Sequence, residues 1–341
     1  MGHPPPQRAR AVATPLISVV VPTFNSAATL PRAVASVARQ TLRDWELIVV
    51  DDGSTDATRT VLEVWAQRLG ERLRRVRTAN RGPGAARNTG IDLARGRYVA
   101  FLDADDEFLP EKLARQVKLF EAEPALGLVF CDYAFVDTRG VRHASVFDEL
   151  IPFVREIPSH AAGYAGHVCA PAVRDWMTGR YLVSTITGVV RRAVLGDDVR
   201  FPPALRYCEE WLFFLEVCRR TRVGYIDAPL ALHHHTRGSV SRTSVMRNLE
   251  HRIRALNTVR RRAFEASPRA RRALRDQLAE SHRQLGCDHY KTGAFDAAAR
   301  HFAAAWRLRP DVRSAVHWAQ ATTRRVARRG RDTPMRSQSL T

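Results

Sequence analysis

"ISVVVPTFNSAATLPRAVASVARQTLRDWELIVVDDGSTD" occupies residues 17–56. Its two ends, "ISVVVP" and "WELIVV", are β-branched runs, and the middle carries Leu30, Val34 and Val37 at helical spacing. Strand, helix and strand in this order imply a parallel pair, which needs a crossover helix between its members. The alternation continues outward. A helix is expected from Asp56 to about Leu69, a strand over "LRRVRTA" (73–79), a helix over "GAARNTGIDLA" (84–94), a strand over "YVAFL" (98–102) and a helix after Pro110. The fold class is therefore α/β, a mostly parallel sheet flanked by helices, whose ligands bind outside the carboxyl ends of the strands.

Three polar loops fall at those ends. "VPTFN" (21–25) follows the first strand, "DDGSTD" (51–56) the second and "DADD" (103–106) the fourth. Ser54, Thr55 and Asp56 suit a turn and helix cap, which leaves Asp51 and Asp52 unexplained. Asp103, Asp105 and Asp106 crowd three carboxylates into four positions inside an apolar run. Like charges this close raise one another's pKa unless a cation compensates, so a cation belongs there. "GPGAAR" (82–87) approaches a dinucleotide fingerprint, but its third glycine is Arg87, where a guanidinium obstructs close helix packing.

The 341 residues carry a formal net charge of +19 and 45% hydrophobic residues, enough for one large or two ordinary domains. From residue 245 onward there are 22 Arg or Lys against 8 Asp or Glu, so +14 of the charge lies there. With no recognition motif and few interleaved aromatics, nucleic acid is disfavoured as the partner of this basic face. No apolar run reaches the roughly 18–20 residues that span a bilayer, and the first 15 residues lack a secretory h-region, so a cytoplasmic protein is expected. Five cysteines without a CxxC pair indicate reduced thiols.

The segments "SVVVPTFNSAATLPRAVASVARQT", "WELIVVDDGSTDAT", "NRGPGAARNTGIDLARGRYVAFLDADDEFLP" and "EKL" resemble, in order and spacing, the family 2 inverting glycosyltransferases of GT-A fold. The resemblance is specific over residues 16 to about 131 and looser to about 244. It implies a nucleotide-diphosphate sugar donor, uridine being the usual base, a divalent metal (Mn²⁺ or Mg²⁺), and displacement with inversion onto a glycan, lipid-linked or small-molecule acceptor. On the matching positions it implies that Asp105 is the metal ligand, Asp103 a ribose or metal contact, and Asp106 a supporting group. It also implies that Pro22, Thr23 and Phe24 lie along the base, that Asp52 contacts it, and that Asp51 supports the loop. Core packing is the alternative for Phe24. The family's acidic base pair at a helix start matches Glu209 and Glu210, with Glu210 as the base and Glu209 next, although Glu replaces the usual Asp at position 210. "HHHTRGSVSR" (233–242) resembles the loop that closes on the diphosphate, with Arg237 as a phosphate contact. Thr236 stands where the family has His, so either a one-residue shift makes His235 the metal ligand there or the family's ligand is absent.

The expected organisation is a flexible leader (1–15), a GT-A domain (16–244), a helical domain (245–328) and a disordered basic tail (329–341). From Ala279 the positions Leu285, Gly286, Gly293, Ala298, Phe302, Ala305 and Pro310 resemble one tetratricopeptide repeat, which must stack on something else to bury its apolar face. The basic helical region is expected to meet an anionic membrane surface, the inner face of the cell membrane, or a protein partner. The rival to an enzyme is a non-catalytic scaffold, in which a degenerate transferase domain presents these helices.

Overall fold

The computed structural model describes residues 14–235, 245–261 and 267–331. The expected alternation appears as β1 (Ile17–Thr23), α1 (Leu30–Ala38), β2 (Trp45–Asp51), α2 (Thr58–Leu69), β3 (Leu73–Arg77), α3 (Pro83–Leu93) and β4 (Tyr98–Phe101). A short β5 (Glu107–Phe108) and α4 (Lys112–Ala122) follow, then β6 (Leu126–Val136), β7 (Arg142–Ser145), α5 (Val146–Glu149), β8 (Ser159–Ala161) and β9 (His167–Cys169). Next come α6 (Val173–Gly179), β10 (Val189–Arg191), α7 (Arg192–Leu195), α8 (Glu209–Arg220) and β11 (Arg222–His234). The described chain ends in four helices: α9 (Val245–Arg261), α10 (Pro268–Lys291), α11 (Phe295–Leu308) and α12 (Val312–Arg331).

The strands form one sheet in the order β3-β2-β1-β4-β10-β6-β11-β9-β8. The first four are parallel, with Thr23 opposite Asp51 at their carboxyl ends. β10 enters antiparallel between β4 and β6, and β11 runs parallel to β6. Strand periodicity of two sorts the core onto both faces. Val19, Val21, Leu47, Val49, Tyr98 and Ala100 face α1 and α4, whereas Val20, Ile48, Val50, Val99 and Phe101 face α3 and α8. Helix α3 lies close on β1 because Gly90 has no side chain: a Cβ there would sit 2.2 Å from Val20 Cγ1. All five cysteines are free thiols.

The C-terminal helices do not stand apart. Leu249, Ile253, Leu256 and Val259 of α9 and Leu274, Leu278 and Leu285 of α10 join the core that contains Phe213 and Val217 of α8. Arg269 of α10 lies over the Trp176 ring at 4.5 Å, and the Ser267 N–H donates to Asp175 Oδ1 at 3.2 Å. Helices α11 and α12 share a smaller cluster around Phe302 and Ala321. Helix α12 runs to Arg331, past the expected boundary at 328. Residues 1–13 and 332–341, most of the expected leader and tail, lie outside the described residues.

A shared core has a measurable consequence. Leu256 is fully buried, so Leu256→Ala should lower global stability by about 2–5 kcal/mol through lost transfer energy and a residual cavity. The expected outcome in denaturant titration is one transition moved for the whole chain. Two separate transitions, with only the helical one moved, would contradict the shared core.

Candidate active site

Three strand ends build the site. Chain leaving β1 is stitched to the loop after β2: Asn25 N–H donates to Ser54 Oγ at 2.9 Å, and Thr55 N–H donates to Asn25 Oδ1 at 2.8 Å. Asn25 takes φ +50°, which turns the chain sharply after Phe24. Phe24 is 47% exposed, so the ring stands at the surface of this edge and not in the core. Pro22 is buried in β1, and beside it the Thr23 hydroxyl is buried without a hydrogen-bond partner, the kind of orphan a ligand satisfies.

The paired acids after β2 are both buried. Asp51 Oδ1 accepts from Ser54 N–H at 2.8 Å, which closes the "DDGSTD" turn. Asp52 accepts from the Thr78 hydroxyl at 3.2 Å, Arg81 N–H at 3.0 Å and Gly82 N–H at 2.7 Å, clamping the loop that opens α3. Gly82 has φ +93°, a conformation costly for residues with a Cβ.

The acid cluster after β4 is organised by Arg87. Its side chain is 5% exposed, with Nη2 donating to Asp103 Oδ1 at 2.6 Å and Nη1 to Glu209 Oε1 at 3.0 Å. Burial pushes Asp103 up, but the charge and hydrogen bond of Arg87 outweigh it and hold this carboxyl below its ordinary range. The Thr185 hydroxyl lies 3.0 Å from Asp103 Oδ2 and 2.8 Å from Glu210 Oε2. One hydroxyl has one proton, so while it donates to Asp103 it can only accept from a protonated Glu210. Burial and the Asp103 charge push Glu210 up to about 7, against the pull of Arg87 and His233. Cys208, immediately before α8, takes φ +63° and turns the chain into the helix that carries both glutamates.

Asp106 is fully buried and meets His233 Nδ1 at 3.0 Å and His234 N–H at 2.9 Å. Burial would lower His233, but the Asp106 hydrogen bond and the Asp106, Asp103 and Asp105 charges lift it to about 9. Asp106 itself is pushed up, first by burial and then by the charges of Asp105 and Asp103. His234 Nε2 meets Glu107 Oε1 at 2.8 Å. His235, the expected metal ligand, sets its ring 4.9 Å from Phe135 and 5.8 Å from His233. Arg237 lies outside the described residues. Asp105 is half-buried, and its carbonyl accepts from Arg32.

Sequence reading missed three participants. Arg87 gives no local sign of its partners, because Glu209 and Asp103 lie 122 and 16 residues away along the chain. His233 was passed over for His235. Thr185 carries no local signal, because its role comes from where the 182–188 segment falls.

No three His, Cys, Asp or Glu residues among those described are grouped to hold a metal by themselves. Asp103, Asp105 and Asp106 are the carboxylates that could hold a hard cation, which needs one or two of them and takes its other oxygens from phosphates and water.

Residues 18–172 match the family model described as Glycosyl transferase family 2. A "PGL/p-HBAD biosynthesis glycosyltransferase" of Mycobacterium bovis is 40% identical over 156 residues, 45% of this chain and 60% of that protein. The putative teichuronic acid biosynthesis glycosyltransferase TuaG of Bacillus subtilis is 39% identical over 127 residues, 37% of this chain and 50% of that protein. The chain thus spans 60% or less of these relatives. Among solved structures, S. aureus TarS 1–349 in complex with UDP-GlcNAc has a TM-score of 0.64 at 20% identity, covering 92% of each chain. The mannosyltransferase PcManGT of Pyrobaculum calidifontis, in complex with GDP-Man and Mn²⁺, has a TM-score of 0.57 at 20% identity, covering 94% of this chain and 83% of that one. Fold, strand-end loops and matched segment agree: residues 18–172 match glycosyl transferase family 2, and the described chain has the GT-A fold of the TarS structure.

Proposed function

We propose that the chain is an inverting glycosyltransferase that takes a sugar from a nucleotide-diphosphate donor, with Glu210 as general base and Asp105, aided by Asp103 and a histidine of the 233–235 run, receiving the donor's divalent metal. The observation that carries this reading is the unequal treatment of two adjacent glutamates. Glu209 forms an ion pair with Arg87, whereas Glu210 is hydrogen-bonded to Thr185 and pushed up to about 7 by burial and the Asp103 charge, in the range that a base working at cellular pH requires. A metal on the diphosphate would stabilise charge on the leaving group. The chain's own residues do the rest. Arg87 fixes Asp103 and the start of α8, Thr185 spaces the donor-side acid from the base, and the orphan Thr23 hydroxyl and exposed Phe24 offer a bond and a face to the nucleoside.

A uridine donor is favoured by the TarS complex with UDP-GlcNAc, and Mn²⁺ by the mannosyltransferase complex. The relatives' names, PGL/p-HBAD and teichuronic acid biosynthesis, favour a glycan or lipid-linked acceptor.

Donor binding should require Mn²⁺ or Mg²⁺ and be lost in Asp105→Ala, since the diphosphate would otherwise face uncompensated carboxylates. Calorimetry with UDP-GlcNAc, UDP-glucose and GDP-mannose tests this, and equal affinity in EDTA would remove the metal from the reading.

Glu210→Gln should leave donor affinity nearly intact and lower kcat by about 10² or more. A base must be ionised, so kcat/KM in the wild type should fall as pH drops through about 7, where burial and Asp103 place Glu210 against the opposing Arg87 and His233. A Gln variant that retains both activity and the acid limb would move the base elsewhere. Thr185→Val should reduce kcat at unchanged donor affinity and Thr185→Ser should restore it. Equal loss in both would reduce Thr185 to packing.

A further inference from the structure

Helix α12 turns a coherent apolar face outward. Ala321 is buried against Ala298 and Phe302 of α11, Ser314 is buried beside Asp311, and His317 lies 5.1 Å from the Phe302 ring. On the other side Val312 is 80% exposed, Val326 62% and Val316 46%. Trp318 is also exposed and stacks at 6.3 Å on the exposed Trp306 of α11. At about 100° per residue, Trp318, Thr322, Val326, Ala319, Val312 and Val316 occupy one sector roughly 160° wide. Arg313, Gln320 and Arg324 occupy the next sector, and all three are exposed. Arg307 of α11 is exposed next in sequence to Trp306, whereas Arg309 lines one surface pocket with Arg313, Asp276, Glu280 and Asp311. The sequence of α12 contains no Asp or Glu.

Large apolar side chains that lie outward beside a cationic edge, with indoles at the other border, fit a medium that is apolar below an anionic plane. A second copy docked face to face would bring the Arg313 and Arg324 rows toward their own images, a like-charge arrangement. No described helix is long and apolar enough to cross a membrane. We propose that the outer face of α12 docks in the interface of an anionic lipid bilayer, with Val312, Val316, Trp318 and Val326 below the headgroups and Arg313 and Arg324 at the phosphates. This rests on the surface of α12 alone and stands whether or not the domain transfers sugar.

The test is sedimentation of the full chain with vesicles of phosphatidylglycerol and phosphatidylcholine, against pure phosphatidylcholine, at low and high salt. Binding to the anionic vesicles is expected, falling as salt rises. Val316→Asp with Val326→Asp should reduce partitioning tenfold or more, while Arg313→Gln with Arg324→Gln should weaken it about tenfold and flatten the salt dependence. Both pairs are exposed, and unchanged circular dichroism and thermal melting confirm the fold. Failure to sediment with anionic vesicles at low salt would overturn the proposal. So would sedimentation indifferent to Val316→Asp with Val326→Asp, which would assign binding to another basic surface. A dimer in light scattering that these two substitutions dissociate, without vesicle binding, would overturn it in favour of self-association.

Discussion

A single buried guanidinium holds the candidate active site together. Arg87 starts on α3, passes 5.3 Å from the Phe201 ring, and ends between Asp103, beyond β4, and Glu209, at the start of α8. A buried charge is tolerated only when paired, and removing one partner of such a group typically costs about 3–5 kcal/mol. Here each member is the other's compensation. Arg87 is held charged by the two carboxylates, and Asp103 is held ionised despite its burial. The triad therefore fixes three elements that local sequence does not connect, and the acid loop, Thr185 and Glu210 take their positions from it.

The same triad divides the work of two neighbouring acids. Glu209 and Glu210 are adjacent in sequence and about 100° apart around α8, enough to send one to Arg87 and the other to Thr185. Paired with a guanidinium, Glu209 is committed to structure. Glu210 is left where burial and a nearby carboxylate both favour its neutral form. Environment, and not residue type, separates a structural acid from a candidate base.

The helical region is bound to this arrangement by packing. Trp176 is stacked between Phe153, at 5.9 Å, and Arg269, at 4.5 Å, and the indole of Trp211 on α8 donates to the Met177 carbonyl at 2.7 Å. Helix α6 thus links α10 to the helix bearing the two glutamates. The outer helices α11 and α12 pack in a smaller cluster of their own, and α9 and α10 belong to the core of the sheet and α8.

The sequence by itself determined the strand and helix order through β4, the three polar loops at one sheet edge and the crowding of Asp103, Asp105 and Asp106. Each of these is written in a period of two, a period of 3.6 or a run of a few residues, so short windows contain the whole signal. It also placed Asp51 and Asp52 at a strand end, with Asp51 supporting the loop, as its bond from Ser54 N–H does, but not the bonds of Asp52 to the Arg81 and Gly82 amides. Only the tertiary structure decided that Arg87 is a clasp, that His233 meets Asp106, that Thr185 stands between Asp103 and Glu210, and that α9 and α10 share the sheet's core. Arg87 and Glu209 are 122 residues apart, and Thr185 and Asp103 are 82. A hydrogen bond acts over about 3 Å of space and has no period along the chain, so such partners appear only once the sheet has brought them together.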